Sequence, residues 1–281
     1  MINTDNDIEN IIVGWIAGMP RSGTTWLSQI FASSPDVRLK FCPLFSYEFK
    51  NALGENSTAA DWEKLFLAVY HTNSEYLDQD YLRKQGLVPT FSEKRENPHY
   101  LIIKSTRFHN LTPHILKLNV QIKFIYIVRH PCATINSWLT NPFEFPDGAD
   151  PMTEWRTGKC RKTGPGEFWG FEDWKTVTRQ ALRLSELYPD RFRILRYEDM
   201  VQDTPKCTKE LFKYFGIHYG KQTDDFIKLS HSKHDKSNRS VFKNPNLSKP
   251  WQVMLPPSII SECLTDLKGT ELEQFIITLD S

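Results

Sequence analysis

The sequence has little with which to hold a fold together covalently. Its five cysteines, Cys42, Cys132, Cys160, Cys207 and Cys263, are odd in number, scattered, and never in a CxxC pair. That argues against a disulfide framework and against a zinc site, and a reducing, cytoplasmic compartment is expected. There is no excess of charge either. The 35 Lys and Arg stand against 34 Asp and Glu, a formal net charge of +1. On that balance neither nucleic acid nor an anionic membrane surface is expected as a partner. No apolar run approaches the ~20 residues that cross a bilayer. The start, MINTDNDIEN, is polar and acidic rather than basic and then apolar, so no leader peptide is expected. Repeats, low-complexity tracts and long linkers are missing too. What is there is a chain of 281 residues, 40% hydrophobic, long enough for one sizeable core without bridges or metal.

Four short apolar runs punctuate the chain: 11–17, 100–103, 122–128 and 192–195. Their length and β-branched content suit buried strands. Helical stretches are expected between them, from Ser22 to Ala32, Cys132 to Leu139, about Glu167 to Leu187 and about Lys206 to Phe215. Downstream, Phe212, Phe215, Gly216 and Ile217 read as a helix end and core. Strands alternating with helices predict an α/β fold, a single domain over 1–281 with a central parallel sheet flanked by helices. Such sheets gather ligands at the carboxyl ends of their strands. Here each run ends in a Gly-rich or cationic segment: Gly18 to Thr25, Lys104, Arg129 and Arg196. That pattern points to an anionic ligand.

The first of these segments reads Gly18-Met19-Pro20-Arg21-Ser22-Gly23-Thr24-Thr25-Trp26. Glycines let the backbone curl with its N–H groups inward, and the following helix adds a partial positive charge. Arg21, Ser22, Thr24 and Thr25 supply more donors. A P-loop of the GxxxxGK[ST] type would have lysine where Thr24 stands; the cation sits inside the loop instead, as Arg21. A Gly-rich turn without ligand is the plainer alternative. In the third segment Arg129 ends a strand and Ser137 lies about two helical turns on. An arginine fork and a serine hydroxyl suit phosphate oxygens, whereas a capping arginine and a buried serine would need no ligand.

Pro20 to Trp26 matches P-[KR]-[ST]-G-T-T-W at every position. It resembles the 5′-phosphosulfate loop of sulfotransferases that use 3′-phosphoadenosine 5′-phosphosulfate (PAPS), a family with a P-loop-like fold. The resemblance runs from about Ile11 to about Trp251, and cytosolic members usually carry lysine at the Arg21 position. It implies that residues 21–26, from Arg21, Ser22 and Gly23 to Thr24, Thr25 and Trp26, hold the nucleotide. In that reading Arg21 steadies the bridging oxygen and Trp26 stacks on adenine. It implies a 3′-phosphate site at Arg129 and Ser137, and an adenine contact at Tyr197 in Arg196-Tyr197-Glu198-Asp199-Met200. A basic loop, about 231–251, would close over the nucleotide. The family's Arg-Lys-Gly triplet is absent there, and Arg239 and Ser240 are the candidates within it, beside Lys236, Lys243 and Lys249. A solvated charge run is the alternative.

Sulfuryl transfer implies in-line attack, with catalysis by positioning and charge. Lys104 matches a family lysine and would be the second cation at the sulfate; no metal is implied. The proton acceptor is open, because Thr106 stands where the cytosolic branch has histidine. His109 and Glu48 are the candidates. The segment 141–173 reads as an insertion over the acceptor site. It carries Trp155, Trp169 and Trp174 with Glu144, Asp147, Asp150, Glu154, Glu167, Glu172 and Asp173. It is either an ordinary acidic surface loop or a wall for a cationic natural product, a saxitoxin-type guanidinium compound being one example. The acceptor would be a small molecule taking sulfate on a hydroxyl or an amine, and the protein a monomer or homodimer. Two other functions remain open: an ATP-dependent small-molecule kinase and a non-catalytic nucleotide-binding protein.

Overall fold

The computed structural model describes residues 11–118, 121–243 and 251–276. The acidic start and, in the basic loop, Lys249 and Pro250 lie outside the described residues. All four expected strands form, and a fifth joins them. They are β1 (Ile12–Ala17), β2 (Val37–Phe41), β3 (Tyr100–Ser105), β4 (Lys123–Val128) and β5 (Phe192–Arg196). They make one sheet in the order β2-β3-β1-β4-β5, and every pairing is parallel.

Each strand of the sheet's centre sends alternate side chains to opposite faces, the period-2 consequence of the pleat. Trp15, Ala17, Leu101, Ile103, Phe124 and Tyr126 enter one core; Ile16, Ile102, Ile125 and Ile127 enter the other. Both faces are covered, so the strands read as continuous apolar runs.

The helices are α1 (Thr24–Ala32), α2 (Ala59–His71), α3 (Asp80–Lys84), α4 (Thr112–Leu118), α5 (Pro131–Leu139) and α6 (Pro151–Thr157). They continue with α7 (Gly170–Leu187), α8 (Tyr197–Gln202), α9 (Thr204–Phe215), α10 (Lys221–Ser232), α11 (Trp251–Met254) and α12 (Pro257–Leu267). The first face is covered by α2, α4, α5, α7 and α12, the second by α1, α8, α9 and α10. On α7 the buried residues Phe171, Trp174, Val177, Ala181 and Leu184 recur every three or four positions, one stripe of a 3.6-residue helix. Full burial of a side chain the size of Phe171, Val177 or Leu184 contributes about 1.5–3 kcal/mol over exposure. None of the helices among the described residues is long and apolar enough to cross a membrane.

Two helices begin later than expected, each for a local reason. The helix expected from Ser22 begins at Thr24, because Gly23 sits at φ 90° as its cap. The one expected from Glu167 begins at Gly170, because the Glu167 carboxylate is paired with Arg107 and holds the Thr163 and Gly164 amides. Phe212, Phe215 and Ile217 are buried as expected.

Candidate functional site

A cavity of about 1060 Å³ opens at the carboxyl ends of the strands. It lies where the chain order reverses about β1, the place open α/β sheets offer a ligand. Its walls take Pro20, Arg21 and Gly23 from the loop after β1, Thr24 to Trp26 from the start of α1, Lys104 from β3, Arg129 after β4 and Tyr197 after β5. Four segments far apart in sequence thus meet because four strands end side by side.

The loop after β1 curls through two left-handed residues, Arg21 (φ 73°) and Gly23 (φ 90°). The start of α1 thus borders the cavity through Gly23, Thr24 and Thr25, and it has neither an acidic first turn nor a side-chain cap there. The positive end of the helix is therefore left for a ligand's charge. Gly23 has a second constraint: a Cβ on it would lie 2.6 Å from the Tyr197 ring. Gly23→Ala is expected to cost about 1–3 kcal/mol, from left-handed strain and the displaced ring, and so lower the melting temperature by several degrees. Calorimetry of the two proteins checks it; an unchanged melting temperature would show that the ring moves freely. Ser22 is 1% exposed beneath the loop and, unlike Arg21, Gly23, Thr24, Thr25 and Trp26, does not line the cavity.

Arg21 is the hub of the site. Its Nε donates to Ser137 Oγ at 3.1 Å and an Nη donates to the Asn238 carbonyl at 2.9 Å. The other Nη lies 3.5 Å from a Glu144 carboxylate oxygen. Burial holds its pKa below the ordinary value; Glu144 opposes that, while Arg129 and Arg239 add to it. Arg129 donates to the Arg21 carbonyl at 3.1 Å and lies 4.6 Å over the Tyr197 ring. Its Nε is buried with no hydrogen-bond partner, a donor waiting for an acceptor. Arg129 and Ser137 thus come together on either side of Arg21.

Trp26 stands edge-on to Tyr197 at 6.2 Å and to His231 at 5.5 Å, and its Nε1 donates to Ser230 at 3.1 Å. Ser230 and His231 end α10 and carry no motif, so nothing in the sequence marked them. The described part of the basic loop does lie over the cavity. Asn238 bonds Arg21 and also donates to the Thr140 carbonyl at 3.2 Å. Arg239 sits 4.2 Å over the Phe143 ring, and Ser240 and Lys243 also line the wall.

Lys104 ends β3, is 4% exposed, and lies with its ammonium 4.2 Å over the Phe41 ring. Burial pushes its pKa down to about 8; Cys42 and Glu144 oppose that, and Arg21 and Arg107 add to it.

Neither expected base reaches the cavity. His109 is 1% exposed, packed against Tyr126 at 5.6 Å and Phe168 at 5.1 Å, with neither ring nitrogen bonded to a side chain. Burial keeps its imidazole neutral, down to about 4, against the pull of the Thr106 backbone. A one-turn helix at His109–Leu111 swings it into the core. Glu48 is exposed in an adjoining pocket with Ser74, Glu75 and Tyr76, its carboxyl held low chiefly by the Ser74 hydroxyl.

The acidic segment is mostly spent on its own structure. Asp150 caps α6, Glu154 accepts the Cys160 amide, and Glu167 pairs with Arg107. Glu172 pairs with Arg156 and Lys175, and Asp173 with Lys162. Trp155 and Trp174 lie in the main core. Glu144 and Trp169 reach the cavity wall. Tyr76 and Tyr81, unmarked by any motif, also line it, together with Phe41, Phe45 and Phe143.

A family model described as the sulfotransferase family matches residues 15–221. No curated protein matches in sequence. Among solved structures, a sulfotransferase domain from the Synechococcus PCC 7002 olefin synthase superposes with a TM-score of 0.53 at 19% identity, over 95% of each chain. The mouse sulfotransferase SULT7A1, complexed with PAP, gives 0.52 at 15% identity, over 96% of this chain and 91% of that one. The sulfotransferase domain of the curacin biosynthetic pathway gives 0.50 at 18%, over 92% and 97%. At those identities the likeness carries the fold, and the family match carries the rest: the chain belongs to the sulfotransferase family.

Proposed function

We propose that the protein transfers a sulfuryl group from PAPS to a hydroxyl or amine of a small acceptor. One observation carries this reading: Arg21, Lys104 and Arg129 converge from three strand ends on one cavity, beside the Trp26–Tyr197 ring pair. The loop and the start of α1 would cradle the 5′-phosphosulfate, Arg129 and Ser137 the 3′-phosphate, and Trp26 and Tyr197 the adenine. The unpartnered Arg129 Nε supports the 3′-phosphate role. Arg21 and Lys104 would take up charge on the bridging and sulfuryl oxygens as the S–O bond breaks. Arg239 and Ser240 would close over the nucleotide.

Phe41, Phe45, Tyr76, Tyr81 and Phe143 line the cavity and would wall the acceptor end. That favours an acceptor with an apolar or aromatic body. A cationic acceptor, such as a saxitoxin-type guanidinium compound, would have Glu144 as its anchor, against Lys104, Arg107, Arg161 and Arg239 on the same walls.

The donor is tested by thermal melting with 3′-phosphoadenosine 5′-phosphate (PAP), beside ATP–Mg²⁺ and buffer. A ligand at ~100 times its dissociation constant adds about 2.7 kcal/mol, so a rise of several degrees with PAP alone is expected. A rise with ATP–Mg²⁺ alone would transfer the protein to the kinase reading. Binding of PAP with no label moved from PAPS to any acceptor would leave a nucleotide-binding protein.

A further inference from the structure

We infer that Glu144 is the general base that takes the acceptor's proton, an inference that rests on the sulfuryl-transfer reading above. The argument begins with what holds the residue. Asn141 is fully buried just after α5; its Nδ2 donates to Glu144 Oε2 at 2.8 Å and its Oδ1 accepts the Phe143 amide at 3.2 Å. The Glu144 amide donates to the Asn141 carbonyl at 3.0 Å, and Trp138 Nε1 donates to the Glu144 carbonyl at 3.3 Å. A four-residue turn is thereby built around one carboxylate. That carboxylate is 30% exposed on the cavity wall.

Its surroundings locate it at the reacting centre. Oε2 lies 3.5 Å from Arg21, and the Glu144 charge acts on both Arg21 and Lys104. These are the two cations assigned to the transferring sulfate. The other carboxylate on the wall, among the described residues, is Glu198. It accepts the His130 amide at 2.9 Å and stands next to Tyr197, at the nucleotide end. His231 is turned to Trp26 and lies 2.9 Å from the Thr204 hydroxyl. His109 and Glu48 are outside the cavity; His234 is on its wall, but the group set against Arg21 is the Glu144 carboxylate. A base must lie within hydrogen-bond reach of the proton it removes, and Glu144 stands where the acceptor meets the sulfate.

The step balances as follows. An acceptor oxygen lone pair forms the new O–S bond, and the bond from sulfur to the bridging oxygen breaks. Its electron pair leaves with the 5′-phosphate of PAP, and the acceptor proton passes to a Glu144 oxygen and then to solvent. Arg21 couples the two ends. As its guanidinium turns to the bridging oxygen, the Glu144 carboxylate 3.5 Å away is freed to meet the acceptor proton.

The test compares Glu144→Gln and Glu144→Asp with wild type, using labelled PAPS and two probes, 4-nitrophenol and phenol. At pH 8 the first is largely ionised and needs no base; the second needs one. The expected result is a loss of kcat for phenol of about 10²–10⁴-fold in the glutamine variant. The loss for 4-nitrophenol stays under about tenfold, the acid limb of the phenol pH profile disappears, and aspartate restores part of the rate. If wild type uses neither phenol, hydrolysis of PAPS with water as acceptor is read in the same way. Equal losses for both probes, or a change in KM alone, would overturn the inference. So would a wild type that binds PAP yet neither transfers nor hydrolyses. A wild type that PAP does not stabilise overturns the donor reading itself, which keeps the two failures apart.

Discussion

Arg21→Ala is expected to lower kcat with PAPS by about 10²–10³-fold, the range for loss of one preorganised donor aimed at developing charge. The arginine is buried, and burial dominates the depression of its pKa. In such a setting a guanidinium acts strongly on a nearby oxyanion because little water screens it. Its contacts add a second effect. Arg21 joins Ser137 on α5, the Asn238 carbonyl of the basic loop and Glu144. Alanine removes all three ties, so PAP affinity is expected to fall along with turnover. Arg21→Lys keeps the charge but not the planar fork, and should lose roughly tenfold. Steady-state kinetics with PAPS checks both. An alanine variant within tenfold of wild type would mean that charge on the bridging oxygen is neutralised elsewhere.

Lys104→Met is expected to move activity and stability in opposite directions. Turnover should drop about 10²–10³-fold, since the second cation at the sulfate is gone. The free protein should become more stable. A lysine normally titrates near 10.5, whereas burial brings Lys104 to about 8. Between those values the unfolded chain binds more protons than the folded one, so stability rises with pH across that window and the full penalty applies below about 8. The penalty is on the order of 2–4 kcal/mol, and methionine keeps the apolar stem that packs on Phe41. Activity has the reverse dependence. Lys104 is charged below about 8, so kcat/KM of wild type should fall as pH rises through that value. Bound donor anions hold the proton on Lys104, so the same limb in kcat should lie higher. A variant that is both inactive and less stable would show that Lys104 has a structural partner in place of a catalytic role.

The contrast between Glu144 and His109 shows which parts of the site were legible. Residues 20–26 were readable because every donor of the cradle comes from one short stretch, so spacing alone carries the chemistry. Lys104, Arg129 and Tyr197 were readable one step less directly, as ends of apolar runs that had to be strands. His109 looked available because it lies five residues after Lys104. The strand delivers Lys104 to the cavity, and the turn after it then rotates the histidine under Phe168. Glu144 looked like one acid among seven, and its distinction is a buried asparagine three residues earlier. β2 escaped notice because it is an edge strand whose Arg38 and Lys40 break the apolar pattern. Lys40 is nevertheless 1% exposed and pairs with Asp78 at 2.7 Å.

The sequence by itself therefore determined the α/β layering, the strand ends as the place of the cavity, and the glycine- and arginine-bearing loop after β1 that lines it. Those properties depend on local periodicity, on glycine conformation and on charge within a few residues. Only the tertiary structure decided which carboxylates line the cavity, that the 233–243 stretch lies over it, and that Phe41, Phe45, Tyr76, Tyr81 and Phe143 share its walls. Each of these depends on contacts between segments tens to hundreds of residues apart, where small rotations of a turn decide whether a side chain meets solvent, core or ligand.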